Sequence, residues 1–376
     1  MTGEFVPVNE PVLDGKEAEY LLECIRSGWI SSEGPFVERF EEAMAQQCNR
    51  RHAVAVANGS MALDLAVHAL DLEPGDEVIM PTFTIISCAA AIVRAGGKPV
   101  LVDCDPDTWN MTAANVDAAI GPRTRAIMIV HIYGMPVDLD PIVDLARRNG
   151  IAIIEDAAEM LGQTYRGRPC GGFGELSTFS FYPNKHVTTG EGGMVLTNDG
   201  ALAERLRSLR NLCFKPGRRF VHEELGWNAR LTNLQAAVGV AQLERLAEVV
   251  ARKREIGLRY DELLHDCSGV QKPLACTEYA QNIYWVYGVV LGSHIPIEAE
   301  AAMADLARAG IGTRPFFWCI HEQPVFRKRG WFKDERFPNA ERIARRGFYL
   351  PSGLALRTEQ QERSAGALRE LLLEYV

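Results

Sequence analysis

Between residues 52 and 156 short apolar runs alternate with longer segments of helical character, and this rhythm restricts the fold more than any other feature of the chain. AVAVA at 53–57, EVIM at 77–80, the stretch 100–102, AIMIV at 126–130 and IAIIED at 151–156 read as strands. Their apolar residues are nearly continuous rather than alternating, which is the pattern of strands buried on both faces. The segments 61–70, 84–95 and 140–149 read as helices, with turns at Asn58-Gly59-Ser60 and Pro74-Gly75-Asp76. Parallel strands need crossover connections, so the pattern predicts a mostly parallel sheet with helices on both faces. Residues 176–197 interrupt the rhythm, because LSTFSFY and GGMVLTN look like two short strands around the polar stretch PNKHVTTGEG.

Upstream, Asp14 followed by Glu17 suggests a capping box for a helix through Leu21, Leu22 and Ile25 that stops near Gly28. Residues 29–34 form a loop, and Pro35 starts a helix with Phe36, Phe40 and Met44 on one face. After Asn233 a long helix offers Leu234, Val238, Val240 (or Ala241) and Leu243 to a core. Residues 251–376 are less rhythmic and more charged, so a large domain over 1–250 and a smaller α+β domain over 251–376 are expected. No low-complexity linker separates them, which predicts close packing.

Composition excludes several classes of function. Forty Lys+Arg against 49 Asp+Glu leave a net charge of −9, so no positive excess is offered to nucleic acid or to a membrane surface. No apolar run approaches the roughly 18 residues of a membrane helix, and the acidic N-terminal stretch does not resemble a secretory signal. A cytoplasmic location is therefore expected. The nine scattered cysteines contain no CxxC pair, which favours reduced, mostly buried thiols over disulfides or a metal site.

Three places could carry chemistry. Asn58-Gly59-Ser60 lies between a strand end and a helix start, where free N–H groups and the helix dipole favour an anion; an ordinary tight turn is the alternative. No G-x-G-x-x-G or G-x-x-x-x-G-K-[ST] occurs, which argues against dinucleotide and P-loop sites. Glu155-Asp156 closes an apolar strand, so a carboxylate there can face the ligand crevice, hold a protonated pyridine nitrogen, or cap a helix over 157–162. Lys185, in Ser180-Phe-Tyr-Pro-Asn-Lys-His186 before the glycines 190, 192 and 193, is either a solvated loop lysine or a desolvated amine able to form a Schiff base. Their order along the chain makes the joint functional reading stronger than any single one. The basic stretch Arg205, Arg207, Arg210, Lys215, Arg218 and Arg219 fits a solvated helix face or a diphosphate site. His321, near Arg314, is a candidate substrate contact or a structural histidine, while Phe316, Phe317 and Trp318 look like core rather than a sugar platform.

TFSFYPNKHVTTGEGGMV resembles the lysine segment of the DegT/DnrJ/EryC1/StrS sugar aminotransferases. RSGWISSEGPFVERFE, VANGSMALDLA, GDEVIMPTFT, VHIYGMPVDLDPI, IIEDAAEMLG and GWNARLTNLQAAVGVAQLERL fit that family in its order, across almost the whole chain. The resemblance implies the type I (aspartate aminotransferase-like) fold and pyridoxal 5′-phosphate as cofactor. It implies that Lys185 bonds the cofactor aldehyde, Asp156 pairs with the pyridine nitrogen and Glu159 lies near the ring hydroxyl. Gly59, Ser60, Met61 and Ser180 would contact the phosphate, joined by Asn228 of a neighbouring subunit, so a homodimer with shared active sites is implied. Ile85 stands where many members stack an aromatic on the ring, Met61 replaces a usually smaller residue, and His186 follows the lysine where Thr or Ile is commoner. Trp29, Ser31, His186, Arg219, Arg314 and His321 are the substrate-contact candidates.

The implied reaction transfers an amino group from L-glutamate to a nucleotide-linked keto sugar. FYPNKHVTTGEGGMV and EDAAE resemble most the branch that aminates carbon 4 of GDP-4-keto-6-deoxymannose. A 3-aminotransferase and a dTDP- or UDP-4-keto-sugar aminotransferase are the alternatives within the family. A dehydratase of the same fold would carry His in place of Lys185, and a non-catalytic regulator would leave the Lys185, Asp156 and Gly59-Ser60 set without a purpose.

Overall fold

The computed structural model describes residues 4–375 other than 216, 218 and 219. After α1 (Glu17–Ser27) and α2 (Pro35–Gln47) come β1 (His52–Val56), α3 (Gly59–His68), β2 (Glu77–Pro81), α4 (Ile86–Arg94) and β3 (Lys98–Val102). Next are α5 (Ala113–Ala119), β4 (Thr124–Val130), α6 (Leu139–Asn149) and β5 (Ala152–Asp156). A two-residue hairpin, β6 (Thr164–Tyr165) and β7 (Arg168–Pro169), precedes β8 (Leu176–Ser180), β9 (Gly193–Thr197) and α7 (Gly200–Arg210).

Seven strands form one sheet in the order β1-β9-β8-β5-β4-β2-β3. Neighbours from β3 across to β8 are parallel, and β9 runs antiparallel to both β8 and β1. Each strand divides its side chains between two cores. Val54, Val56, Met128 and Val130 join one cluster, while Ala53, Ala55, Ile127 and Ile129 join the other. That two-residue period across a doubly covered sheet is why these strands read as continuous apolar runs. The expected strand and helix positions agree with the structure to within a few residues, including the two strands around the Lys185 loop.

Local expectations fail in three places. Asp14 does not cap α1. The N-cap is Lys16 without a side-chain bond, Asp14 pairs with Arg245, and Glu17 is buried against Gln242. Tyr20 and Cys24 form the buried side of α1, leaving Leu22 and Ile25 exposed, and Gly28 ends the helix in the left-handed region at φ 77°. No helix covers 157–162, so Asp156 is not a cap. On α8 (Asn233–Leu243) the buried face is Ala236, Ala237, Gly239, Val240 and Ala241, with Leu234, Val238 and Leu243 only half-buried. Small residues are required there because α2 packs close. A Cβ at Gly239 would sit 2.6 Å from the Phe40 ring. Thr232 and Gln235 supply the capping box of α8.

The helix α9 (Leu246–Leu263) leads to a second, antiparallel sheet of β10 (Val270–Gln271), β11 (Tyr287–Leu291), β12 (Arg314–Pro315) and β13 (Gly347–Leu350), in the order β10-β11-β13-β12. The helices α10 (Ala299–Arg308), α11 (Pro324–Arg327), α12 (Pro338–Arg346) and α13 (Thr358–Leu373) accompany it. Residue 250 falls inside α9, and Val6 pairs with Ile311, so the first described residues join this second unit. Among the described residues all nine cysteines are unpaired, seven of them buried, and no helix is long and apolar enough to cross a membrane.

Candidate active site

The parallel strands all end on one edge of the sheet, and a cavity of about 550 Å³ opens there. Its wall includes Asn58 after β1, Thr84 after β2, His131 after β4, Asp156 at the end of β5 and Ser180 at the end of β8. This is the edge at which parallel α/β sheets place ligands, because crossover helices leave a crevice where the strand order reverses. Lys185 and Glu159 enter it from loops, and Trp285, Phe317 and Tyr349 close it from the second unit.

Alternation along β5 sends its two terminal carboxylates in opposite directions. Asp156 faces the cavity and Glu155 the structure behind it. Asp156 accepts from the Ala158 N–H at 3.1 Å, from the Thr178 hydroxyl at 3.4 Å and from the Cys88 thiol at 3.4 Å. Burial raises its pKa, opposed by the Ala158 N–H, the Cys88 thiol and the charge of Lys185. Among the described residues no cationic side chain hydrogen-bonds Asp156, so a protonated ring nitrogen matches what this carboxylate lacks.

Glu155 belongs to a saturated node instead. Its carboxylate accepts from Gly171 N–H (2.6 Å), Phe173 N–H (2.9 Å) and His131 Nε2 (3.1 Å). His131 Nδ1 accepts from the Val137 N–H, which leaves the ring proton on Nε2. Arg50 donates to the carbonyls of Gly171, Phe173 and Gly174 alongside. His131, Glu155 and Cys170 approach as a metal triad would, yet the imidazole and carboxylate are already engaged in holding loop 171–174.

The Lys185 Nζ lies 3.8 Å from Glu159 Oε1 and 3.8 Å from the centre of the Trp285 ring. Burial lowers the pKa of Lys185 and raises that of Glu159, and each effect is opposed by the neighbouring charge. Glu159 is fixed from the other side by the Tyr133 N–H at 2.7 Å. The amine is therefore desolvated but sits among acceptors, the setting in which a lysine can exchange its proton.

At the start of α3, Asn58 Oδ1 accepts from the Met61 N–H at 2.9 Å. The helix has no acceptor for the N–H groups of Gly59 and Ser60, and its dipole favours an anion there. The Ser60 hydroxyl meets that of Ser87 at 2.8 Å. A Cβ at Gly59 would stand 2.7 Å from Ser180 Cβ, so the helix start and the end of β8 are as close as glycine allows. Met61, expected to contact the phosphate, lies off the cavity wall, and its N–H donates to Asn58 Oδ1. Ile85 is on the wall. These donors, the buried Asp156 and the desolvated Lys185 are of the types pyridoxal 5′-phosphate needs: an anion site at α3, a buried carboxylate for a protonated ring nitrogen and an amine for an aldehyde.

The substrate candidates are more scattered. His186 is buried off the wall, its pKa pushed down by burial and the nearby Lys253. His321 is fully buried between Thr82 Oγ1 (2.9 Å) and Glu341 Oε1 (3.2 Å), a structural histidine rather than a contact. Arg314 is exposed on β12 beside the wall residue Tyr349. The carbonyls of Trp29 and Ser31 accept from Asn233, away from the cavity. Asn228 bridges to Asn211 outside it, and Arg219 lies outside the described residues. The basic stretch resolves into ion pairs, Arg205 with Glu224, Arg207 with Glu204, Arg210 with Glu41 and Lys215 with Glu223; Arg218 is not among the described residues. Phe316 and Phe317 pack in or against the core as expected, with Phe317 also lining the cavity, whereas Trp318 is exposed. Thr84, Ser87, Tyr182, Trp285 and Tyr349 carry no sequence signal, since a single hydroxyl or aromatic has no spacing pattern, and Glu191 lies among glycines with no partner in sequence.

Comparison with known proteins agrees with this geometry. Residues 11–369 match the profile of the DegT/DnrJ/EryC1/StrS aminotransferase family. The chain is 43% identical to GDP-perosamine synthase of Caulobacter vibrioides, covering 98% of each chain. Among solved structures it resembles the aminotransferase TlmJ of Streptoalloteichus hindustanus (31% identity, TM-score 0.91, 98% and 99% of the two chains). It also resembles DesI, solved in the presence of its TDP-sugar product (33% identity, TM-score 0.88, 100% and 96%). The fold is the type I architecture of pyridoxal-phosphate enzymes, with a large mostly parallel domain and a smaller C-terminal one. With its lysine, carboxylate and helix terminus gathered at one sheet edge, the chain belongs to the DegT/DnrJ/EryC1/StrS aminotransferase family, and its cofactor is pyridoxal 5′-phosphate.

Proposed function

We propose that this protein transfers the amino group of L-glutamate to the keto carbon of a nucleotide-linked deoxysugar, converting GDP-4-keto-6-deoxymannose to GDP-perosamine. The observation that carries the aminotransferase reading is the convergence of Lys185, Asp156 and Glu159 in one buried cavity beside the open end of α3. The sugar rests on the 43% identity to a GDP-perosamine synthase over nearly the full length of both chains.

When bound, pyridoxal phosphate supplies an aldehyde that condenses with amines and a protonated ring that accepts an electron pair. The N–H groups of Gly59 and Ser60, with the hydroxyls of Ser60, Ser87 and Ser180, would hold the phosphate. Asp156 would keep a proton on the ring nitrogen, and Glu159 would lie by the ring hydroxyl. The Lys185 Nζ would take the proton from the α-carbon of L-glutamate as base and return it as acid on the other side of the shared nitrogen. With the keto sugar the same amine moves the proton in reverse. Contacts to the nucleotide, remote from the reacting carbon, position the ketone.

A second copy completes the site by contributing Asn228 to the phosphate. The exposed Leu22, Ile25, Trp29 and Ile30 support such a homodimer, since these apolar side chains lack cover within one chain.

A panel of GDP-, dTDP- and UDP-linked keto sugars, offered to the aminated protein and followed by product NMR, tests the reading. Conversion of the GDP-4-keto sugar at carbon 4 is expected, and reaction of only dTDP or UDP sugars would refute it. The likeness to DesI favours that thymidine-linked alternative, and the same panel decides it. Lys185→Ala is expected to abolish both turnover and the shift of the yellow absorbance band on adding L-glutamate.

A further inference from the structure

Trp285 reaches the cavity from the second unit, beside the wall residue Tyr349. Its ring centre stands 3.8 Å from the Lys185 Nζ. Its Nε1–H donates to the Asn184 carbonyl at 2.8 Å, gripping the residue just before the lysine. Its ring stacks on Tyr133 at 5.8 Å and 27°, and the Tyr133 N–H fixes Glu159 at 2.7 Å. The ring is 4% exposed, so a cation against it is held in a nearly dry setting. Gly134 makes this approach possible: at φ 109°, its Cβ position is 2.8 Å from the Trp285 N and 2.7 Å from the Tyr284 N.

We propose that the face of Trp285 is the docking place of the Lys185 ammonium, making Trp285 a positioning residue for proton transfer. The inference rests on the proposed aminotransferase reaction and adds a residue to it. When the free amine takes the α-proton, an N–H bond forms, the C–H bond breaks, and its electron pair stays on the carbon side. The lysine is then a cation that must wait, proton in hand, before delivering it. An indole face attracts a cation through its quadrupole without being able to take its proton. Glu159 at 3.8 Å attracts the same cation but is itself an acceptor. Asp156 adds a second negative charge nearby, and His131, Tyr182, Glu191 and Tyr349 are the other titratable groups on the wall. His186, next along the chain, is buried and resists protonation, so it does not compete. The tie from Nε1 to Asn184 makes the ring and the lysine backbone move together, so the docked amine stays in register with its loop.

The test uses the cofactor-free full-length protein, so that its readout is independent of turnover. Reductive methylation of Lys185 is followed against pH by peptide mass spectrometry in the parent, in Trp285→Phe, which keeps a ring face, and in Trp285→Met, which keeps bulk alone. A desolvated cation–π contact corresponds to about one pKa unit. The labelling midpoint is therefore expected to fall by about one pH unit in Trp285→Met, making labelling below the midpoint about tenfold faster, and to move far less in Trp285→Phe. An unchanged midpoint in Trp285→Met, or an equal fall in Trp285→Phe, overturns the proposal. Should Trp285→Met not fold, near-ultraviolet circular dichroism serves instead. A tryptophan change that follows the Lys185 titration and vanishes in Lys185→Met supports the docking, and its absence overturns it. A shifted midpoint beside a failed sugar panel would sink the substrate reading alone, and a productive panel with no shift would sink only the role of Trp285.

Discussion

Lys253 on α9 should be a source of instability at neutral pH, and replacing it should stabilise the protein. Its side chain is 4% exposed, and Nζ donates to the Ser352 carbonyl at 2.5 Å. Burial pushes its pKa from the ordinary 10.5 down to about 7, with no counter-charge offsetting the shift. A folded-state pKa below the unfolded one means that the unfolded chain keeps a proton which the folded chain sheds. Stability therefore rises with pH between about 7 and 10.5, and the burial penalty is largest below 7. At 1.36 kcal/mol per pKa unit the penalty is about 5 kcal/mol as an upper bound. Losing the Ser352 bond and imperfect packing of the new side chain take back about 2 kcal/mol. Lys253→Met should then gain about 3 kcal/mol at pH 6. With an unfolding entropy of about 2.1 cal/mol/K per residue, that gain raises Tm by about 4 °C. Calorimetry of the cofactor-free protein at pH 6, 8 and 9.5 is the assay, and the difference between variant and parent should shrink as pH rises. A variant that melts below the parent at pH 6, or a difference that does not depend on pH, would refute the reasoning.

Two further substitutions address the sheet edge itself. Glu155→Gln replaces a carboxylate that accepts three buried hydrogen bonds by an amide that must turn a donor toward a donor, at a cost of about 3 kcal/mol in urea unfolding; a loss under about 1 kcal/mol would show that loop 171–174 is held by other contacts. Gly59→Ala forces a Cβ to within 2.7 Å of Ser180 Cβ and crowds the open end of α3. Its expected effect is a cofactor Kd raised about tenfold or more, measured by fluorescence titration with pyridoxal phosphate, and an unchanged Kd would remove the phosphate from that helix terminus.

Much of the cavity was legible before any coordinates because its backbone-defined parts carry sequence patterns. Gly59-Ser60 follows a strand, Asp156 ends one, and Lys185 sits in a polar loop between two, so each could be placed on the same sheet edge. His186 and His321 show the limit. An imidazole beside a lysine or an arginine in sequence carries no sign of which way it points, and packing buried both away from the wall. Asp14-Glu17 failed for a related reason. Its capping pattern is sound, but Arg245 and Gln242 on the chain that packs against it offered stronger partners.

The sequence by itself determined the mostly parallel sheet and the edge on which chemistry gathers, and pointed to Gly59-Ser60, Asp156 and Lys185 there, because hydrophobic periodicity and strand ends are local properties of the chain, while Glu159 was signalled only by the family resemblance. Only the tertiary structure decided that Trp285, Phe317 and Tyr349 close the cavity, that Glu155 turns inward while Asp156 turns outward, and that small residues face inward on α8. Those outcomes depend on which distant surfaces meet and how closely. Trp285 lies 100 positions from Lys185 in the chain, and no pattern spans that distance until two units pack together.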